Sequence, residues 1–310
     1  MPKIGIIHSG SSGNQDHKRL IDIFLRTLEQ EGFVDGQGGF SIDGAHFGDD
    51  SHATLRSHAN TLVANNVTVL VAGGGTRASQ IAKDATSQNP QIAVVFTTAN
   101  LPVRPATNTT GICAHTADLD RARLSLLREL MPTQNQLGAL INSDRFPPGT
   151  LNTQRADLDN AAVQLGLQPL SYQDVGNGNG GDLSLITPAF TFWQNASIKA
   201  AVIAADPFFN NHRPPLVNAA NNKGVAAIYQ WREFVDTGGL MSLGPKLSEA
   251  YKLAAIYTAR ILRGERPIDL PILSLTNFEL VINLSTAKQL GITVPESLLS
   301  RANDIVVRAP

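Results

Sequence analysis

The chain of 310 residues contains one cysteine, Cys113. It can close no disulfide within itself and has no cysteine set for zinc or an iron–sulfur cluster. It also lacks an apolar run long enough to cross a bilayer as a helix. Charge is scarce, at 16% of residues, and the formal net charge is −1. That balance excludes the basic field a nucleic-acid binder needs, and there is no long basic cluster for a membrane surface. Two catalytic patterns are missing as well. Ser11 and Ser12 lie in Gly10-Ser11-Ser12-Gly13, the wrong spacing for a G-x-S-x-G nucleophile elbow, and there is no H-E-x-x-H. Seven histidines are scattered. His46, His52 and His58 fall on or near an exposed helix with no convergent carboxylates, so they read as surface residues and no metal is expected. No cofactor is expected either.

What is present is an apolar content of 42% and enough length for two compact lobes, each with its own core. Lys3 to Ile7 reads as a strand, followed by the glycine-serine loop His8 to Asn14. A helix follows with Leu20, Phe24 and Leu28 on one stripe, ending at Gly32. Ser41 to Phe47 is a weaker strand. Asp49, Asp50 and Ser51 cap a helix bearing Leu55, Ala59 and Leu62. Val67 to Ala72 is a third strand, and Gly73-Gly74-Gly75-Thr76 opens a helix. Ile92 to Phe96 is a fourth strand, ending in Thr97-Thr98. The alternation argues for a parallel sheet with helices on both faces.

Near Gly111 to His115 the chain leaves this unit. A capped helix is expected from Asp118 to Leu130, a strand from Gln136 to Ile141, and a helix around Thr153 to Leu165. Gly176 to Gly181 reads as a flexible surface loop with no core residue. Lys199 to Ala204 is a strand that delivers Asp206-Pro207-Phe208-Phe209. Val225 to Ile228 is another buried strand, followed by Tyr229-Gln230-Trp231-Arg232-Glu233, a cluster that does not suit a core. A turn at Asp236 to Gly239 leads to the strand Leu240 to Leu243, which Gly244-Pro245 breaks. A long helix then runs from Lys246 to Arg263.

The carboxyl ends of such strands are where open α/β sheets bind ligands. Gly73 to Ala78 matches the loose pattern G-x-G-x-x-[G/A], but it follows the third strand and no acid lies about twenty residues on to hold a ribose, which argues against a nucleotide. What remains is an N–H nest around Gly75 beside the Thr76 hydroxyl, suited to a carboxylate, or equally a plain helix cap by Thr76. Ser9, Ser11, Thr97 and Thr98 join it as candidate ligand contacts. In the second half the candidates are Asn142, Asp206, Phe208, Tyr229 and Trp231. Asp206 can meet a ligand ammonium while Phe208, Tyr229 and Trp231 cover an apolar part. The alternative is that Asp206 caps the next helix or turn, Phe208 and Phe209 are core, Trp231 and Phe234 pack under a loop, and Arg232 and Glu233 face water.

Residues 227–245, AIYQWREFVDTGGLMSLGP, also resemble a segment of the substrate-binding proteins of bacterial ABC transporters, in the family associated with aromatic amino acids such as tryptophan. The likeness continues through Tyr257 to Gly264, Asp269-Leu270-Pro271 and Phe278 to Leu284. Upstream it takes in Leu28 to Gly36, Val71 to Thr76 and Ala205 to Phe209. It implies a periplasmic-binding-protein type I fold: α/β, with two doubly wound parallel-sheet lobes joined by a three-crossing hinge that closes on a solute. The lobes would be 1–115 plus 245–273 and 116–244 plus 274–310. The resemblance further implies a periplasmic, monomeric binding protein, not an enzyme. Its partners would be a small-molecule ligand and an ABC transporter permease, with no nucleic acid. No export leader precedes the first strand, so a mature chain is implied. Two loops depart from the family. Ala99 to Val103 replaces a Gly-Asp-Pro-Val-like turn, and Asn142-Ser143-Asp144 replaces Asn-Pro-Asn. Two rival functions remain open. An effector-binding regulatory module reuses this fold but would carry a helix-turn-helix before the first strand. A small-molecule enzyme on an α/β scaffold is the other.

Overall fold

The computed structural model describes all residues except 1, 39, 50, 99–105, 115–118, 146–149, 179 and 308–310. The turn expected at Ala99 to Val103, the cap at Asp118 and the crossing near 115 thus lie outside the described residues. The chain forms two compact units, Met1–His115 with Leu247–Thr276, and Thr116–Lys246 with Asn277–Pro310.

The sheet of the first unit contains β1 (Lys3–His8), β2 (Ser41–Phe47), β3 (Val69–Gly73), β4 (Ala93–Thr98), β5 (Thr109–Cys113) and, later in the chain, β11 (Leu273–Ser274). Their order is β11-β5-β4-β3-β1-β2, and every pairing is parallel. Its helices are α1 (Gln15–Gln30), α2 (His52–Ala64), α3 (Thr76–Ala85) and α10 (Leu247–Leu262). α1 packs on α10 and α2 on α3. Ile7, Leu70, Ala72, Val94 and Phe96 meet Leu55, Leu62, Ala78 and Ile81 in one core. Because strand side chains alternate, His8 and Thr97 point to the face opposite Ile7 and Phe96. β5 is a strand where the sequence reading saw only the chain leaving the unit. Its Thr109-Thr110-Gly111 start is polar, yet it is fully buried because Thr110 donates to Leu270 O and Thr109 bonds Ala106.

The second unit contains β6 (Gly138–Ile141), β7 (Ser171–Asp174), β8 (Ala200–Ile203), β9 (Ala226–Tyr229), β10 (Met241–Pro245), β12 (Phe278–Asn283) and β13 (Asp304–Val306). The order is β13-β12-β10-β9-β8-β6-β7. α4 (Asp120–Leu130), α5 (Thr150–Gln164) and α12 (Glu296–Leu299) cover one face. α6 (Ile186–Asn195), α7 (Pro207–Asn211), α8 (Arg213–Asn222) and α9 (Arg232–Asp236) form a second set, while α11 (Leu284–Gln289) follows β12. This sheet is parallel except for one antiparallel pair, β10 with β12. The chain leaves the unit after Lys246 and re-enters at Asn277, and β10 and β12 run in opposite directions. Gly244 and Pro245 extend β10 and do not break it. Pro245 lies past the last residue that pairs with β9, so its missing N–H costs that ladder nothing. Gly244 allows a close approach: a Cβ there would sit 1.8 Å from Gln230 O.

Both units share the order 2-1-3-4-5 in their first five strands. The direction of winding reverses between β1 and β3 in one and between β6 and β8 in the other. At such a point two loops leave in opposite directions and open a crevice at the carboxyl edge.

Candidate functional site

In the first unit the crevice is bounded by the loops after β1 and β3. The Ser9 hydroxyl donates to Gly74 O at 2.5 Å, and Ser9 N donates to Gly73 O at 3.2 Å. Gly74 has a φ of +85°, and a Cβ there would lie 2.5 Å from Ser9 Oγ, so only glycine fits this turn. α3 starts at Thr76 with Gly75 as its N-cap, and no side chain caps it. The alternative reading of Thr76 as a plain helix cap is therefore corrected. As the first helical residue its hydroxyl points away from the first-turn amides and meets the Thr98 hydroxyl at 2.8 Å. The result is a helix N-terminus, with its partial positive charge, beside a hydroxyl pair, an arrangement that suits an anionic oxygen. Ser11 lies further out. Its hydroxyl accepts from Gly13 N at 3.2 Å, and its amide donates to His17 Nδ1 at 3.2 Å.

Thr97 does not join Thr76 and Thr98. Alternation along β4 sends it to the opposite face, where it hydrogen-bonds Tyr251 of α10. His8 accompanies it there. The ring is buried; its Nδ1 lies 2.8 Å from Gly10 N and its Nε2 2.7 Å from the Tyr251 hydroxyl. Burial, aided by repulsion from His17, holds the imidazole pKa well below its ordinary value, and burial pushes the Tyr251 phenol up. Sequence reasoning missed both residues. Their signal was a histidine closing an apolar strand and a tyrosine on the inner stripe of a helix far along the chain.

In the second unit the crevice lies between the ends of β6 and β8. Asp206 is the N-cap of α7. Its Oδ1 accepts from Phe208 N at 2.8 Å and from the Asn142 amide at 3.2 Å. Asn142 also donates to Gly180 O at 2.8 Å and accepts from Asp144 N at 3.2 Å, so it clamps three segments together. The glycine-rich loop after Val175 is not a free flexible stretch, as expected from its composition. It wraps the Asp144 carboxylate, which accepts from Asn177 N at 3.0 Å, Gly178 N at 2.9 Å and Gly180 N at 2.8 Å. Composition alone does not show that a carboxylate 33 residues upstream organises this loop.

Phe208 is buried against Phe209 and His212. Tyr229 is enclosed, stacked on Phe234 with ring centroids 4.6 Å apart and planes at 7°. Arg232 faces three carboxylates, reaching Asp304 at 2.6 Å. Trp231, 4% exposed, is the N-cap residue of α9. The neighbouring Gln230 is fully buried and its amide donates to Ile203 O at the end of β8. Four polar atoms at the end of β9 and beside it in β10 are buried without a hydrogen-bond partner among the described residues: Tyr229 Oη, Gln230 Oε1, Trp231 Nε1 and Ser242 Oγ. Unsatisfied groups of this kind cost about 1–3 kcal/mol each and are rare outside functional places. Gln230 was not among the expected contacts, because a glutamine within a mainly aromatic and charged cluster gives no periodic signal.

Residues 24–306 match the family model for ABC transporter substrate binding proteins. The chain belongs to that family. No curated protein matches the chain. Among solved structures, this ABC transporter substrate binding protein is similar to the ABC domain from Streptococcus pneumonia in complex with L-Trp. Identity is 21% and the TM-score 0.79, over 98% of this chain and 99% of that one. A conserved domain protein from Vibrio cholerae is similar at 21% identity and a TM-score of 0.80, with the same coverage. A periplasmic binding protein/LacI transcriptional regulator from Alkaliphilus metalliredigens, complexed with D-xylulofuranose, matches at 12% identity and a TM-score of 0.61, over 90% and 97% of the two chains. These likenesses show the periplasmic-binding-protein type I fold. Among the described residues no helix is long and apolar enough to cross a membrane.

Proposed function

We propose that this protein is the extracytoplasmic solute-binding component of an ABC importer. It captures a small solute at the polar loops of its two switch points and delivers it to a membrane permease, working as a monomer in the periplasm. The lobes that would carry these loops are those of the sequence reading, 1–115 plus 245–273 and 116–244 plus 274–310. The single observation that carries the reading is the family match over residues 24–306.

The solute class is an amino acid or similar compact carboxylate. Three features support it. The uncapped start of α3 with the Thr76–Thr98 hydroxyl pair suits a carboxylate without any buried lysine or arginine. Asp206 supplies negative charge for an ammonium, and a net-neutral pairing avoids the cost of one unpaired buried charge. Gln230 Oε1 accepts and Trp231 Nε1 donates, so a solute bearing both kinds of polar group satisfies them together. The L-Trp bound in the Streptococcus relative makes that compound the first to try.

Calorimetry with L-tryptophan, other L-amino acids, plain carboxylates and a ketose tests the class. An amino acid should bind. Thr76→Val should weaken it by about 1–3 kcal/mol, and Asp206→Asn should cost more for a zwitterion than for a plain carboxylate. Binding of the ketose with no binding of any amino acid would overturn the solute class and favour an effector-binding module. Wild-type affinity in both variants would remove this assignment of the site.

A further inference from the structure

The binding edge of the first unit rests on a hydrogen-bond chain with a defined proton arrangement. A backbone N–H can only donate, so Nδ1 of His8, 2.8 Å from Gly10 N, accepts and carries no proton. The ring is neutral, so its proton sits on Nε2 and points at the Tyr251 hydroxyl 2.7 Å away. The Tyr251 oxygen accepts it, and the Thr97 side chain and the Gly74 backbone bond the same phenol. Gly10, Gly74 and Thr97 belong to the loops and strand end after β1, β3 and β4. The His8 imidazole and the Tyr251 phenol of α10 thus join the two crevice loops to the end of β4.

We propose that His8 is the positioning residue of this edge: as the neutral Nε2–H tautomer it holds the Ser9 to Ser11 loop in place, and its protonation releases that loop and weakens solute binding in acid. The inference rests on the reading of this edge as a solute contact. Protonation places an Nδ1–H against the Gly10 N–H, donor against donor, and the loop loses this bond while those of Ser9 to Gly73 and Gly74 remain. Among the described residues, the groups packed against the ring offer no compensation. α1 presents His17, ring centroids 4.9 Å apart; the end of β2 presents Phe47; α10 presents Tyr251; and the end of β3 and the loop after it present Gly73 and Gly74. His17 opposes a positive charge on its neighbour and none of the others is acidic.

Nitrogen-15 NMR of the full chain without solute, titrated downward from pH 6.5, decides the structural half. The His8 resonances should show the Nε2–H tautomer. Protection of the Gly10 amide, taken relative to the intrinsic exchange rate at each pH, should fall about tenfold as His8 protonates, the equivalent of one lost hydrogen bond. The binding half uses L-tryptophan or whichever amino acid the calorimetry selects. Affinity should fall in acid with the midpoint of the Gly10 change, whereas His8→Phe should bind about tenfold more weakly at neutral pH with no such midpoint. An Nδ1–H tautomer, Gly10 protection unchanged through the titration, or the wild-type pH profile persisting in His8→Phe would overturn the proposal. Loop release without binding of any amino acid would overturn the solute reading while leaving the role of His8 in the loop intact.

Discussion

The carboxylate of Asp206 and the side-chain amide of Asn142, 3.2 Å apart, tie the end of β8 to the end of β6 where the winding of the second sheet reverses. The same Asp206 oxygen caps α7 through Phe208 N. Asp206→Ala should therefore destabilise the second unit by about 1–3 kcal/mol. Asp206→Asn keeps a capping oxygen and should cost less. Urea unfolding of both variants checks this, and an alanine variant as stable as the parent would dismiss the cap and the tie.

Asp144 should govern the order of the glycine-rich loop. Asp144→Ala removes the acceptor for the amides of Asn177, Gly178 and Gly180. Hydrogen exchange at these amides should then rise about tenfold or more. Exchange rates equal to the parent's would show that the loop holds itself.

The stability of the first unit should depend on pH through His8. In the unfolded chain the imidazole titrates near 6.5, whereas in the folded unit burial keeps it neutral to well below that value. Below pH 6.5 the unfolded state therefore binds a proton that the folded state refuses. The contribution is whole above that pH and is lost as pH falls toward the folded value, at up to about 1.4 kcal/mol per unit. Urea midpoints between pH 7 and 5 should slope downward for the wild type and less steeply for His8→Phe. Parallel slopes would contradict the buried neutral state.

The two tryptophans should report different events. Trp193 is fully buried on α6 and its indole N–H donates to Ser171 O at 3.1 Å. Trp231 has an indole N–H without a partner among the described residues. A solute-induced change in fluorescence should vanish in Trp231→Phe and survive in Trp193→Phe. The reverse result would place the binding event elsewhere.

The sequence by itself determined the α/β class and most strands. β1, β3, β4, β6, β8 and β9 are short apolar runs ended by glycine or polar residues, and that pattern depends only on local alternation and turn chemistry. It also marked Ser9, Gly75, Thr76, Asn142 and Asp206, because each follows a buried strand. Tertiary structure decided what these residues do. Thr76 meets Thr98 and does not cap its helix, since helix position sets where its hydroxyl points. Thr97 leaves the group for Tyr251, more than 150 residues away, through the alternation of one strand. Pairing in the assembled sheet made Gly244-Pro245 part of β10, and the Asp144 carboxylate folded a loop that composition reads as loose. Each outcome depends on a partner distant in sequence, and a hydrogen bond or ladder between distant residues leaves no periodic trace in either segment alone.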